Sequence, residues 1–212
     1  MMSSTVLNPA ESQPGGRNNL SQGVSPGLAA PKSSPEGTKE ASEGGTRKAI
    51  MKKESYRALR QHLIYLLTDG GAHAKFDDGI AAIPPKLRGQ KPAGMPHSPW
   101  MLLEHMRIAQ WDILEFSRNL KYKSPTWPQD YWPPTEAPPN AAAWNESVTK
   151  FREDLRFLEN LIANPNTDLF AKIPWGDGQT ILREALLVAD HNAYHLGQLV
   201  VVLRLLGAWS KT

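Results

Sequence analysis

Apolar residues recur three or four positions apart in four stretches of the chain, the spacing that places side chains on one face of an α-helix. The first stretch covers about residues 46–69 and is followed by Gly70-Gly71, a pair that ends helices. The second begins at Ser98-Pro99, a capping residue followed by a proline suited to the first turn, and continues to about Asn119. Two long helices are therefore predicted here.

The second half of the chain predicts two more helices of the same kind. One begins after the capping residue Asn140 and ends at Asn164-Pro165, and the other begins after Thr180 and ends near Gly207. No stretch alternates convincingly between apolar and polar residues as a strand does. Four amphipathic helices without strands predict an all-α fold, a four-helix bundle with long crossover loops.

The connections between these helices are long and carry their own apolar residues. Residues 72–97 are rich in glycine and proline but include Phe76 and Ile80, so this segment is expected to pack on the body and to contain a short helical turn. Residues 120–140 are rich in Trp, Tyr and Pro. These aromatics could cover either a pocket or the end of the core, and the second is the expected role. Residues 166–178 predict a turn with a short hairpin or an extended piece.

Residues 1–45 have a different composition, dominated by Ser, Pro, Gly, Asn and Glu and without an aromatic residue. Such a segment buries too little apolar surface to offset the entropy lost on ordering. The expected organisation is a disordered tail over residues 1–45 and one bundle domain over residues 46–212.

Composition narrows the function classes. The chain of 212 residues contains no cysteine, which excludes disulfides and thiolate metal sites, so any metal must be held by His, Asp, Glu or water. The net charge of +3 is too small to suggest a nucleic-acid partner. No apolar run has the length of a membrane span and the N-terminus lacks a signal core, so no membrane partner and a cytoplasmic location are expected.

Two histidines in the fourth helix lie four residues apart. His191 and His195 therefore point in the same direction, one turn apart, which allows two imidazole nitrogens to reach one metal ion. They lie at the edge of the apolar side of the helix, where each needs a polar partner. Two core histidines satisfied by neighbouring side chains remain the alternative.

A third histidine, His105, lies on the apolar face of the second helix beside Leu102 and Ala109. Alone, it favours a core role. Together with His191 and His195 it forms the arrangement of three protein ligands that leaves a catalytic metal open to water or substrate.

Two segments resemble the DinB/YfiT-like metalloenzyme superfamily. They are Leu103-Glu104-His105-Met106 in the second helix and Asp190-His191-Asn192-Ala193-Tyr194-His195-Leu196-Gly197-Gln198-Leu199 in the fourth. The resemblance covers about residues 48–209 and implies a four-helix bundle with a long crossover between the second and third helices. It also implies a divalent metal ion, with Zn²⁺ or Ni²⁺ expected, held by His105, His191 and His195.

The resemblance implies several reactions rather than one. Members of the superfamily look like metal-dependent hydrolases, thiol S-transferases that use small bacterial thiols, or isomerases, and others have no assigned activity. We expect a metal-dependent hydrolase or thiol S-transferase acting on a small molecule, with a low-molecular-weight thiol among the candidate substrates. The alternative is a non-catalytic metal-binding or stress-related helical protein. Pairing through helix faces to form a homodimer is also expected.

Other polar residues are candidates for the surroundings of the site. His73 follows the first helix and is the first candidate for a catalytic role, as a fourth ligand or a proton-transfer residue, with a surface histidine as the alternative. Asp112 and Glu184 are candidate acceptors for imidazole N–H groups from across the helix interface, and Asn192 and Gln198 are candidates at closer range.

Overall fold

Five α-helices form the part of the chain that the computed structural model describes, residues 40–209 for the backbone and 45–209 for the side chains. Two 3₁₀ turns, Pro85–Leu87 and Gln129–Tyr131, lie in the connections. The described residues contain no strand, only an isolated bridge between Lys172 and Thr180. The all-α prediction is therefore confirmed. The helices are α1 (Glu40–Asp69), α2 (Phe76–Ala81), α3 (Pro99–Arg118), α4 (Ala141–Ala163) and α5 (Ile181–Leu205).

The starts of three helices follow from their capping residues. The side chains of Ser98, Asn140 and Thr180 each accept a hydrogen bond from the backbone N–H three residues later, at the starts of α3, α4 and α5. α1 begins at Glu40, earlier than predicted, and no proline interrupts its first turns. The rest of the predicted tail lies outside the described residues.

α3 is the central helix of the core. It packs along α4 on one side and α5 on the other, while α1 packs against α4 and α5. Leu102, Leu103 and Met106 of α3 are fully buried in a cluster with Phe151 of α4 and Leu199 of α5. A second cluster, which includes Leu114, Leu158 and Val188, fills the space towards α1.

The predicted helical turn in the first connection is α2. The ring of Phe76 stacks on Phe151 with the centroids 3.8 Å apart, which holds α2 against the body. Gly79 is buried, and a Cβ atom there would lie 2.9 Å from Leu196 Cδ1, so a side chain at position 79 would require Leu196 to shift. None of the described helices is both long and apolar enough to cross a membrane.

Candidate metal centre

Three histidine side chains from two helices meet in the core. The three are His105 on α3 and His191 and His195 on α5. Each offers one ring nitrogen, and these three nitrogens lie within 4.8 Å of one another. Among the described side chains this is the one cluster of three or more His, Cys, Asp or Glu groups with metal-ligand spacing. His105 and His195 are buried and His191 is partly buried. The packing of α3 against α5 thus brings together the residues that the sequence placed on separate helices.

Hydrogen bonds to Nδ1 orient two of the three rings. His105 Nδ1 donates to the backbone carbonyl oxygen of Tyr131 at 2.9 Å, and His195 Nδ1 donates to Gln198 Oε1 at 2.8 Å. Because both acceptors are oxygens without a proton, each neutral ring must carry its hydrogen on Nδ1. The Nε2 lone pair of each ring therefore remains available to bind a metal ion.

The spacing of the nitrogens fits one metal ion. His105 Nε2 and His191 Nε2 are 3.2 Å apart. Two histidine nitrogens bound to one tetrahedral Zn²⁺ at the usual bond length are separated by about 3.3 Å. Three imidazoles, two of them with fixed tautomers, form a donor set of the kind that binds divalent metal ions such as Zn²⁺, Cu²⁺, Fe²⁺ and Ni²⁺.

The environment keeps all three imidazoles neutral. The pKa of His105 and of His195 is lowered to about 4, and that of His191 to about 3, with burial as the largest cause. The positive charge that a neighbouring histidine would carry contributes to this lowering, whereas the hydrogen bonds to Tyr131, Gln198 and Asn192 act in the opposite direction. Neutral imidazole is the form that binds metal, so a metal ion can bind at pH 7 without first displacing a proton from a positively charged ring.

The aromatic loop before α4 covers the cluster. The indole of Trp132 stacks on the ring of His105 at 3.9 Å with an angle of 1° between the planes. The other ring stacked on Trp132 is His97, at 4.0 Å and 15°. His97 also lies close enough for its charge to lower the pKa of His105 and His195, after burial as the main cause. The loop therefore does contact the candidate site, and the expectation that its aromatics only cover the end of the core was too narrow.

Tyr131 links the cluster to a carboxylate. Its carbonyl oxygen accepts from His105, and its hydroxyl donates to Asp112 Oδ2 at 2.6 Å. Asp112 was predicted to accept directly from an imidazole, whereas in the structure it accepts from this hydroxyl, so its connection to His105 runs through Tyr131. Glu184, the other predicted carboxylate acceptor, forms an ion pair with Arg183 at 2.7 Å.

The two predicted short-range helpers have different roles. Gln198 accepts from His195, as predicted. Asn192 donates to Gln110 Oε1 at 2.9 Å, and Gln110 donates to the carbonyl oxygen of Phe151 at 2.8 Å. These two hydrogen bonds connect α5 to α3 and α4 next to His191. Asn192 therefore fixes the position of the helix that carries two of the histidines.

His73 lies outside the three-histidine cluster. Its side chain is exposed in the turn between α1 and α2, and its backbone N–H donates to Gly70 at the end of α1. It lines a cavity of about 510 Å³ together with Met106, Asn192 and Leu196, each of which is next in sequence to one of the three histidines. A catalytic role for His73 remains a prediction.

Sequence reasoning did not assign Tyr131, Trp132 or His97 to the site. The aromatic composition of residues 120–140 was a signal for Trp132, but the acceptor from Tyr131 is a backbone carbonyl, which every residue type has.

We compared the chain with protein families, with characterised proteins and with solved structures, and none of the three comparisons found a match.

Proposed function

We propose that His105, His191 and His195 hold one divalent metal ion, and that the protein is a DinB-like metal-dependent hydrolase or thiol S-transferase acting on a small molecule. One observation carries the proposal: three neutral imidazole nitrogens converge within 4.8 Å, and the tautomers of two rings are set by outward-facing acceptors. Histidines that bind metal through one ring nitrogen usually donate the N–H of the other nitrogen to such an acceptor.

The bundle in this proposal consists of α1, α3, α4 and α5. In the same proposal, the connection between α3 and α4, residues 119–140, corresponds to the crossover that the resemblance implies. Its contribution is local: Tyr131 holds the Nδ1 hydrogen of His105, and Trp132 shields one face of the same ring. Both contacts reduce the rotational freedom of His105 before any ligand arrives.

A bound divalent metal would act as a Lewis acid, lowering the pKa of a bound water or thiol. The residues of the chain supply the neutral donors and orient them, and they leave a position for the small molecule because only three side chains converge. A low-molecular-weight thiol is a suitable substrate class for such a position. His73, which lines the neighbouring cavity, is the candidate proton-transfer residue.

A second candidate is a non-catalytic protein whose histidines hold the core together. It is favoured by the direct contact between His191 and His105, in which His191 Nε2–H can donate to the bare Nε2 of His105 without a metal ion. In that case all three rings are satisfied by partners within the protein.

Metal content decides between metal binding and a purely structural cluster. We would measure it by elemental mass spectrometry on untagged protein, with His195→Ala and with His62→Ala as the matched control, since His62 is exposed on α1. The proposal expects about one metal ion per chain in the wild type and in His62→Ala, and none in His195→Ala. A wild-type protein that contains no metal and takes up neither Zn²⁺ nor Ni²⁺ would exclude the proposed metal-dependent activity.

Activity of the metal-loaded protein then tests catalysis. Ester hydrolysis and thiol transfer to an electrophile are the two reactions to screen, in the wild type and in His73→Ala. Activity that disappears in His195→Ala and survives in His62→Ala supports the proposal. Full metal content without either activity favours the non-catalytic candidate.

A further inference from the structure

A cavity of about 510 Å³ lies among the helices and is lined by residues of all five. Most of the lining side chains are apolar, and Leu66, Phe76, Leu155 and Leu196 come from four different helices. Sites for small molecules are concave, mostly apolar and about 300–1,000 Å³ in volume. The size and the walls of this cavity therefore suit a small molecule with an apolar part.

α5 separates this cavity from the three-histidine cluster. None of the three histidines lines the cavity, whereas Ala189 and Ala193 do. Ala189 precedes His191 by two residues, and Ala193 precedes His195 by two. Since each residue of a helix turns the chain by about 100°, positions two apart lie on nearly opposite sides. A molecule in the cavity is therefore bound away from a metal ion held by the histidines, and the cavity is a second site.

Two stacked aromatic rings form part of the apolar wall. The rings of Phe76 and Phe151, whose centroids are 3.8 Å apart, both belong to the lining. Leu66 lines the cavity as well and is 41% exposed. An apolar group of a ligand would cover this leucine and pack against the rings, which removes apolar surface from water.

The charged side chains of the lining carry both signs. Arg152 forms an ion pair with Asp77 at 2.7 Å, and both of these residues line the cavity. Lys75, also in the lining, forms an ion pair with Asp69 at 2.5 Å. Because these charges are already paired, they leave the recognition of a charged ligand to the two remaining charged residues of the lining.

Arg156 and Glu159 are those two residues, and neither has an ion-pair partner among the described side chains. They lie three positions apart on α4, so they share one face, and a base placed before an acid is the less favourable order for pairing along a helix. Burial raises the pKa of the partly buried Glu159 carboxyl, and the charge of Arg156 only partly opposes this. A partly buried carboxylate without a cation is costly, so an ammonium group would be stabilised here.

We propose that the cavity binds a small zwitterion with an apolar body, such as an apolar α-amino acid. The ammonium group of the ligand binds Glu159 and its carboxylate binds Arg156. Its apolar body packs against Phe76 and Phe151. Opposite charges one helical turn apart on the protein are complementary to a ligand that carries both charges close together. A ligand with a single charge would leave one of the two residues without a partner.

Isothermal titration calorimetry of the full chain tests the proposal with three probes that share a phenyl body: L-phenylalanine, 2-phenylethylamine and 3-phenylpropanoate. The amino acid should bind, and the amine and the acid should each bind roughly tenfold more weakly, because each lacks one charged contact. A protein that binds neither L-phenylalanine nor L-leucine at up to roughly 10 mM overturns the proposal. So does an amine or an acid that binds as tightly as the amino acid.

Two variants that each remove one charge test the two contacts separately. Glu159→Gln should weaken the binding of L-phenylalanine roughly tenfold but should not weaken that of 3-phenylpropanoate, which has no ammonium group. Arg156→Gln should weaken L-phenylalanine to a similar extent but should not weaken 2-phenylethylamine, which has no carboxylate. Glu153→Gln, an exposed position on α4, is the control. An equal loss for all three probes in either variant would contradict the assignment, because a change of the fold would then explain it.

A further comparison separates this cavity from the metal centre, since a free amino acid can itself bind a divalent metal ion through its nitrogen and oxygen atoms. L-Phenylalanine should bind to His195→Ala, and to the wild type with EDTA present, as tightly as to the untreated wild type. Binding that disappears in both cases would place the amino acid at the histidine cluster and overturn the proposal.

Discussion

Replacing Gln198 with leucine removes the acceptor that holds His195 in one tautomer. Gln198 Oε1 accepts from His195 Nδ1 at 2.8 Å, and His195 is only 8% exposed. In the variant, the Nδ1 hydrogen loses its partner in a largely buried place. The ring is then free to move its hydrogen to Nε2, the nitrogen that would bind the proposed metal ion.

The size of the effect follows from the cost of the lost contact. Leaving a buried donor unpaired costs about 1–3 kcal/mol, which corresponds to roughly fivefold to 150-fold in affinity. Losing an outer hydrogen-bond partner of a metal-binding histidine costs about the same. Because Gln198 is itself only partly buried, water can replace part of the bond. We therefore expect the lower end, about a tenfold loss of Zn²⁺ affinity.

The assay is a Zn²⁺ titration in competition with a coloured chelator at pH 7. Gln198→Leu is compared with Gln61→Leu, the same change at an exposed position on α1. Gln198→Glu is the opposite perturbation: a carboxylate is a stronger acceptor for the Nδ1 hydrogen, so Zn²⁺ should bind more tightly than in the wild type.

Two results would refute this reasoning. One is a Zn²⁺ affinity that stays at the wild-type value in Gln198→Leu while the circular dichroism is unchanged. The other is an equal loss in Gln61→Leu, which would show that the change acts on the whole fold and not on His195.

Three further predictions concern stability. Trp132→Ala should lower the free energy of unfolding by about 1–3 kcal/mol, through the lost stack on His105 and lost burial, and Trp132→Phe should retain most of it, as urea unfolding can show. Gly89→Ala should cost about 1–3 kcal/mol, because its Cβ would lie 2.9 Å from Ala137 Cα, whereas Gly45→Ala, with open space in α1, should not destabilise in the same assay. Acid should destabilise the metal-free protein: below pH 6.5 the unfolded histidines bind protons that the folded ones reject until about pH 4. For His105 alone this difference amounts to about 3 kcal/mol, lost progressively as the pH falls from 6.5 to 4, and a flat stability over this range in unfolding curves would contradict it.

The helices were predictable because their signals are local. Ser98, Asn140 and Thr180 cap α3, α4 and α5 where the sequence indicated, since a cap involves only a residue and the backbone three positions later. The pairing of His191 with His195 was predictable for the same reason, because it depends only on the 3.6-residue period of one helix.

Only the tertiary structure decided what surrounds these histidines. The prediction included Gln198, which lies one turn from His195, but it did not include the carbonyl of Tyr131 or the ring of Trp132, which a long connection returns to His105. A backbone acceptor leaves no mark in the residue types, and the path of a connection depends on the packing of the whole core. The sequence thus determined the helices and the chemical groups on each face, while the tertiary structure determined which of those groups meet.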